Sequence, residues 1–494
     1  MTFLHHKYFH KSICLILAAC ISVGSFFCDS ITAHATLDEL QAAAEERKSL
    51  PIQTNDIENW PNGPEISAES AILMDANTGV ILYAKNIHER CYPASTTKLI
   101  TCLLAMQNGN LDDMVTFSRD AVYSVPSDGS NMGMDAGQAI TLEECLYGIL
   151  VGSANEVANA VAEHIGGTIA NFISMMNEYA ASVGCTDSHF MNANGLYDDN
   201  HYTTAYDLAQ MSRAFFQNEM LCKIGDTPRY HFEATATQPD DFYLNNKHKL
   251  ITGEIPYDGI LGGKTGYTDE ARQTLVTCAE QNGMKLICVV FKEESPTQFT
   301  DTVELFDYGF KNFQTVNISE KEEKYNIEPT GFLQTGNDIF GSSKPILSID
   351  PTSYVIIPNT ASFDDLQSEI VYDDTDSDYL AQIVYTYQGT FVGNAYIQLA
   401  SDITSTYDFS SEPLPTEEET IQEEPSEQFP EGTIFINVKQ VLIFVVVLAV
   451  VVILIFIVRA LIRNNGAAKR RNNRVKRRKR RRDRIRSDFN DFDF

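Results

Sequence analysis

The stretch Cys91–Ile100, CYPASTTKLI, sets Ser95 and Lys98 three residues apart, just after a proline suited to the first turn of a helix. That spacing puts both side chains on one helical face. A serine hydroxyl is a poor nucleophile at neutral pH and needs a base within hydrogen-bond reach. Lysine can be that base only when neutral, a state favoured by burial and by a second cation nearby. Two other stretches carry matching chemistry. VGSANEVANA offers Ser153 and Asn155 at the mouth of a helix, and GGKTGYT offers Lys264, Thr265 and Gly266 ahead of the strand-like QTLVTCA. Singly, the first pair could cap a helix and the second stretch could turn into a strand. In order along one chain they make the triplets Ser-x-x-Lys, Ser-x-Asn and Lys-Thr-Gly, a pattern that points to a serine nucleophile served by a lysine.

The elements that must position these residues are legible in the periodicity. From Pro64 to about Phe313, strand-length apolar runs alternate with helical patterns: SAILMDANTGVILYAK reads as two strands about a turn, and ANEVANAVAEHI as an amphipathic helix. From about Lys324 to Ala400 the helical period gives way to β-like alternation in SYVIIP, LAQIVYTYQGTFVG and NAYIQLA, which predicts a small β domain. At 494 residues and 44% apolar content, two folded domains with appendages are expected.

The appendages predict an exported, anchored chain. Residues 1–35 read as a signal peptide: Lys7 and Lys11, an apolar run from Ile13 to Phe27, then Ala33-His34-Ala35 as a cleavage site. Lipidation at Cys20 is the rival reading, disfavoured because the apolar run continues past it. Val441 to Val458 is an uninterrupted run of 18 apolar residues, long enough to span a bilayer. An acidic Pro/Glu/Ser stalk (406–438) precedes the span (439–462), and a basic tail (463–494) follows. The positive-inside rule puts the tail in the cytoplasm and the rest outside, as a single-pass cell-membrane protein. Residues 459–494 hold 15 Lys/Arg against 4 Asp, so the net charge of −30 understates the acidity of the exported part, which excludes a nucleic-acid partner there. Seven cysteines lie beyond the signal segment, scattered, with no CxxC and no metal-ligand spacing, so neither a disulfide framework nor a metal is expected.

The segments AESAILMDANTGVILYAKNIHERCYPASTTKLIT, MNEYAASVGCTDSHFMNANGLYDDNHYTTAYDLAQMSRAF and YDGILGGKTGYTDEARQTLV, together with the three triplets, resemble the serine-type D-alanyl-D-alanine carboxypeptidases among the low-molecular-mass penicillin-binding proteins. The resemblance covers roughly Pro61 to Phe313, and YQGTFVGNAYIQL looks like the close of that family's C-terminal β domain. It implies an α/β (α+β) catalytic domain of the DD-peptidase/β-lactamase kind (61–313), an antiparallel sheet flanked by helices, after a linker (36–60) and before a small all-β domain (320–405). It also implies an acyl-enzyme on Ser95, formed on peptidoglycan stem peptides ending in D-Ala-D-Ala, with β-lactams as covalent inhibitors and no cofactor.

In the implied division of labour Lys98 is the base, Ser153 relays a proton to the leaving amine, and Asn155 binds the substrate amide. Lys264 and Thr265 receive the terminal carboxylate, and the backbone N–H groups of Ser95 and Tyr267 face the oxyanion. The chain departs from the family at Ala154, where glycine is frequent, at Tyr267, where histidine is common, and at Gln298, near the place of an arginine that grips the carboxylate. His201 and Asp207 read as structural. A β-lactamase, a DD-endopeptidase or a non-catalytic wall-binding protein are the alternatives; the first would need a glutamate-bearing loop, and the last a broken motif.

Overall fold

The computed structural model describes residues 37–127, 129–322, 347–372 and 381–399. The signal segment, the apolar run Val441–Val458, the stalk and the tail lie outside the described residues. Among the described residues no helix is long and apolar enough to cross a membrane.

A five-stranded antiparallel sheet forms the centre. Its strands are β1 (Ser70–Asp75), β2 (Ile81–Lys85), β3 (Ile260–Thr268), β4 (Arg272–Gln281) and β5 (Met284–Glu293), in the order β2-β1-β5-β4-β3. The expected hairpin in SAILMDANTGVILYAK is β1 and β2, turning through Gly79 at φ +78°. The alternation along each strand sorts side chains into two cores. Ile72, Met74, Val276, Cys278, Ile287 and Val289 face one core, whereas Ala71, Leu73, Leu275, Ala279, Leu286 and Val290 face the other.

Helices cover the first face: α2 (Lys98–Asn108), α3 (Leu142–Leu150), α4 (Asn155–Gly166), α5 (Ile169–Ser182), α6 (Ala205–Gln217) and α7 (Glu219–Gly225). Helix α2 is buried from Lys98 to Ala105, so it runs through this layer as its axis. Helix α3 starts on a reciprocal capping box between Thr141 and Glu144, which fixes where it begins. The second face is covered by α8 (Thr297–Asn312), which leads directly into a six-stranded antiparallel sheet. That sheet has β6 (Phe313–Asn317), β7 (Leu347–Ile349), β8 (Tyr354–Pro358), β9 (Gln367–Val371), β10 (Ala381–Tyr387) and β11 (Thr390–Leu399), ordered β6-β8-β11-β10-β9 with β7 on β11. Its inner residues Val355, Ile356, Ile383 and Tyr385 join the same core as Leu73 and Leu286. Tyr354 adds a polar tie, its hydroxyl donating to the buried Asp75 carboxylate at 3.1 Å.

The segment expected as a linker contains a helix, α1 (Leu37–Lys48). Its sequence is rich in Ala, Glu and Leu, good helix formers, without an apolar stripe for an amphipathic pattern to reveal. Its hold on the body is polar instead. Arg47 Nε donates to the Ser67 carbonyl at 2.9 Å, and the buried Lys85 donates to the Arg47 carbonyl at 2.8 Å.

Leu73→Ala, a fully buried site between β1 and α8, is expected to cost about 2–5 kcal/mol of unfolding free energy through lost transfer and a cavity. Tyr372→Ala, at a side chain 74% exposed, is expected to stay within about 0.5 kcal/mol. Denaturant midpoints measured at unchanged m-value check the pair.

Candidate active site

Ser95 sits in a single 3-10 turn, Ala94–Thr97, that feeds directly into α2. Three bonds hold this turn. Thr96 Oγ1 donates to the Pro93 carbonyl at 2.6 Å, and Thr274 Oγ1 of β4 donates to the same carbonyl at 3.0 Å. Thr97 Oγ1 lies 2.8 Å from His201 Nε2. His201 Nδ1 accepts the Met191 N–H at 3.0 Å, so Nε2 carries the ring proton and donates to Thr97. Burial lowers the His201 pKa to about 4, which keeps the ring neutral. His201 is therefore a structural brace one turn from Ser95. Asp207 belongs to the first turn of α6, capped by Thr204, and its carboxylate accepts from Asp187 N and Ser188 Oγ.

Lys98 is fully buried, with Nζ 3.0 Å from Ser95 Oγ, 2.7 Å from Asn155 Oδ1 and close against the Asn194 carbonyl. Burial first, and the Lys264 cation second, push its pKa well below the ordinary lysine value. A neutral amine has two N–H donors and one lone pair. The Asn155 and Asn194 oxygens can only accept, so they take the two N–H groups and leave the lone pair for the Ser95 hydroxyl.

The Asn194 carbonyl owes its place to a braced loop. Thr101 Oγ1 donates to the Ala193 carbonyl at 2.6 Å, Asn194 Nδ2 donates to Asn159 Oδ1 at 3.0 Å, and the Gly195 N–H donates to Asn192 Oδ1 at 2.7 Å. Gly195 has φ +81°, and a Cβ there would stand 1.9 Å from the Ala94 carbonyl oxygen, so this loop can lie against the Ser95 turn only with glycine.

Neither Ser153 nor Asn155 caps α4. The N-cap is Ala154, which makes no side-chain cap bond, and Ser153 is held in the left-handed region at φ +59°. Strain at a non-glycine residue in a cleft accords with a functional constraint rather than with a helix start. Ala154 turns its methyl into the core, fully buried. Next to it, the buried Glu156 carboxylate accepts the Met132 and Gly133 N–H groups at 2.7 and 3.1 Å, which pins the segment bearing Ser130 beside the site.

On the other side runs β3, carrying Lys264, Thr265, Gly266 and Tyr267. A Cβ at Gly266 would come within 2.9 Å of the Ser95 backbone nitrogen, so the strand passes against the Ser95 turn. Lys264 is buried, donates to its neighbour's carbonyl on Thr265 at 2.9 Å, and has its pKa lowered to about 7 by burial and by the nearby Lys247 cation.

A cleft of about 440 Å³ opens above these groups. Ser95, Ser153, Thr265 and Tyr267 line it, whereas the buried Lys98, Asn155 and Lys264 are not among its lining residues. Ser130, Lys247, Gln273 and Gln298 also line it; all four lie outside the triplets, and only Gln298 was singled out in the sequence. No carboxylate is among the described residues that line it.

A serine within hydrogen-bond reach of a buried lysine, between an antiparallel sheet and a helical layer, is the arrangement that a lysine-assisted serine hydrolase needs. Residues 57–295 match the D-alanyl-D-alanine carboxypeptidase family. D-alanyl-D-alanine carboxypeptidase DacF of Bacillus subtilis is 34% identical over 260 residues, which cover 52% of this chain and 65% of the relative. DacA of Escherichia coli K12, also named a D-alanyl-D-alanine carboxypeptidase, is 30% identical over 310 residues, covering 60% of this chain and 72% of its own length. The crystal structure of penicillin binding protein 5 from Haemophilus influenzae aligns with a TM-score of 0.54 at 26% identity, over 69% of this chain and 98% of that one. The chain belongs to the D-alanyl-D-alanine carboxypeptidase family. It is accordingly a serine peptidase, a hydrolase of peptidoglycan peptides whose general mechanism passes through an acyl-enzyme.

Gly195→Ala and Gly253→Ala both place a side chain at positive φ, +81° and +76°, but only the first meets backbone within 4 Å. Gly253→Ala is expected to cost about 1–2 kcal/mol of stability, the left-handed penalty alone. Gly195→Ala should cost clearly more, because the Ala94 carbonyl must move. Denaturant titration of the two variants reads the difference.

Proposed function

We propose that Ser95 is the residue acylated when this chain removes the terminal D-alanine from peptidoglycan stem peptides. The observation that carries this reading is the buried Lys98 Nζ 3.0 Å from Ser95 Oγ, beside two acceptor-only oxygens that would take both N–H groups of the neutral amine. Lys98 takes the hydroxyl proton as Ser95 attacks the carbonyl between the two D-alanines. The N–H groups of Ser95 and Tyr267 face the oxyanion, each such donor being worth about 3 kcal/mol in transition-state stabilisation. The proton passes by way of Ser153 to the leaving amine, D-alanine departs, and water releases the shortened peptide. Asn155 serves twice, its oxygen orienting Lys98 and its amide nitrogen meeting the substrate. Lys264, Thr265 and the cleft cation Lys247 hold the carboxylate, and β-lactams acylate the same serine.

Lys264 must be charged for this task, while Lys98 must be neutral. The causes of the two shifts support the division: burial and then the Lys264 cation push Lys98 well below the ordinary lysine value, whereas burial and Lys247 lower Lys264 to about 7. The β-lactamase reading gains no support, since the described cleft lining holds no glutamate to place a deacylating water. Export by residues 1–35 and anchoring by Val441–Val458 would hold the catalytic part outside the cell on an extended acidic stalk. Protease added to wall-stripped cells should then release the ectodomain and spare the basic tail; a tail digested from outside would contradict this topology.

Incubation with a peptide ending in D-Ala-D-Ala should release D-alanine, and labelled penicillin should mark the wild type and leave Ser95→Ala unmarked. Full labelling of that variant would remove Ser95 from its role.

The pH profile gives a second check. With Lys264 titrating near 7, kcat/KM for the anionic peptide should fall as pH rises through that value. Lys247→Gln removes the cation that depresses Lys264 and should move the falling limb to higher pH. Lys264→Arg, which cannot deprotonate, should abolish that limb.

A further inference from the structure

Gln298 lies in the first turn of α8, 3% exposed, where it lines the cleft together with Gln273 of β4. Its Nε2 donates to Gln273 Oε1 at 3.2 Å, whereas its own Oε1 is buried without a partner. A buried acceptor without a donor is costly to leave in place. Gln298 is among the residues that line the cleft, so a ligand entering there could bring the donor this oxygen lacks. Gln273 faces Tyr267 across the ladder, and Tyr267 lies two residues beyond Thr265 on the strand face that both present to the cleft. The amide pair therefore sits at the end of the cleft assigned to the leaving residue.

Two facing carboxamides differ from a cation in one respect. If both invert together, Gln273 Nε2 donates to Gln298 Oε1, their mutual bond survives, and Gln298 offers the cleft an N–H instead of an oxygen. A guanidinium or an ammonium can only donate.

We infer that Gln298, oriented by Gln273, is a specificity residue that lets the leaving residue end in a carboxamide as well as in a carboxylate. Resting on the Ser95 reading, this extends the substrate class to peptides whose terminal carboxyl is amidated. Lys247 and Lys264 still attract the anion. The amide enters because Gln298 Oε1 accepts its N–H, a bond no cation at that place could make. The reaction itself is unchanged: the Ser95 Oγ–carbonyl bond forms as the carbonyl–nitrogen bond breaks, and the hydroxyl proton ends on the leaving amine. D-Alaninamide departs in place of D-alanine, and water then cleaves the acyl-enzyme.

The test compares kcat/KM of the full chain on one peptide ending in D-Ala-D-Ala and on the same peptide ending in D-Ala-D-alaninamide, in the wild type, Gln298→Glu and Gln298→Arg. The wild type should release D-alaninamide measurably. The amide-to-acid ratio should rise at least about tenfold in Gln298→Glu, which still accepts but repels the carboxylate, and fall at least about tenfold in Gln298→Arg. Wild type that turns over only the acid would overturn the inference without any variant, as would a ratio that stays constant across the three proteins. Wild type that cleaves neither peptide and takes no penicillin label would instead sink the Ser95 reading on which this one rests.

Discussion

Everything in the cleft depends on one buried amine whose positive charge its surroundings disfavour. Lys98 is enclosed at the start of a helix buried along most of its length, with two oxygens that accept and cannot donate, and with a second lysine close enough to disfavour its charge. Burial alone would make a neutral lysine; only the geometry of Asn155 and Asn194 gives its lone pair a direction. The same environment acts on a second lysine, Lys264. Once Lys98 is neutral it no longer repels Lys264, and the remaining depression of Lys264 comes from burial and from Lys247.

The rest of the fold reads as support for that amine. The Asn155 oxygen is fixed by the entry of α4, and the Asn194 carbonyl by a loop that only glycine at 195 allows to approach. Strand β3 passes the Ser95 turn at a distance that only glycine at 266 permits. These three elements meet because the sheet is covered on both faces, by the helical layer on one side and by α8 with the second sheet on the other. An edge strand backed in this way cannot retreat from the cleft, so the spacing of Thr265 and Tyr267 from Ser95 is set by packing far from the chemistry.

Much of this was legible in the sequence because local rules decide it. The i,i+3 spacing brought Lys98 under Ser95 as expected, and strand-length apolar runs marked β1, β2 and β4. What stayed hidden was set by contacts distant along the chain. The Asn194 carbonyl is a backbone atom with no residue type to mark it, 96 positions from Lys98. Ser153 was expected at the site, but its positive φ, in the tight turn between α3 and α4, has no mark in the residue types. Lys247 and Gln273 reach the cleft from segments whose sequences carry no motif. Helix α1 was missed because its hold on the body is polar and leaves no apolar period to read.

The most direct test of the neutral-amine arrangement is a 15N NMR titration of the lysine side chains, with Lys98 assigned by comparison with Lys98→Arg. An Nζ resonance in the free-amine range at neutral pH, moving to the ammonium range only on acidification, is the result that burial and the two carbonyls predict. A Lys98 that remains an ammonium into alkaline pH, titrating like an exposed lysine, would contradict the central claim.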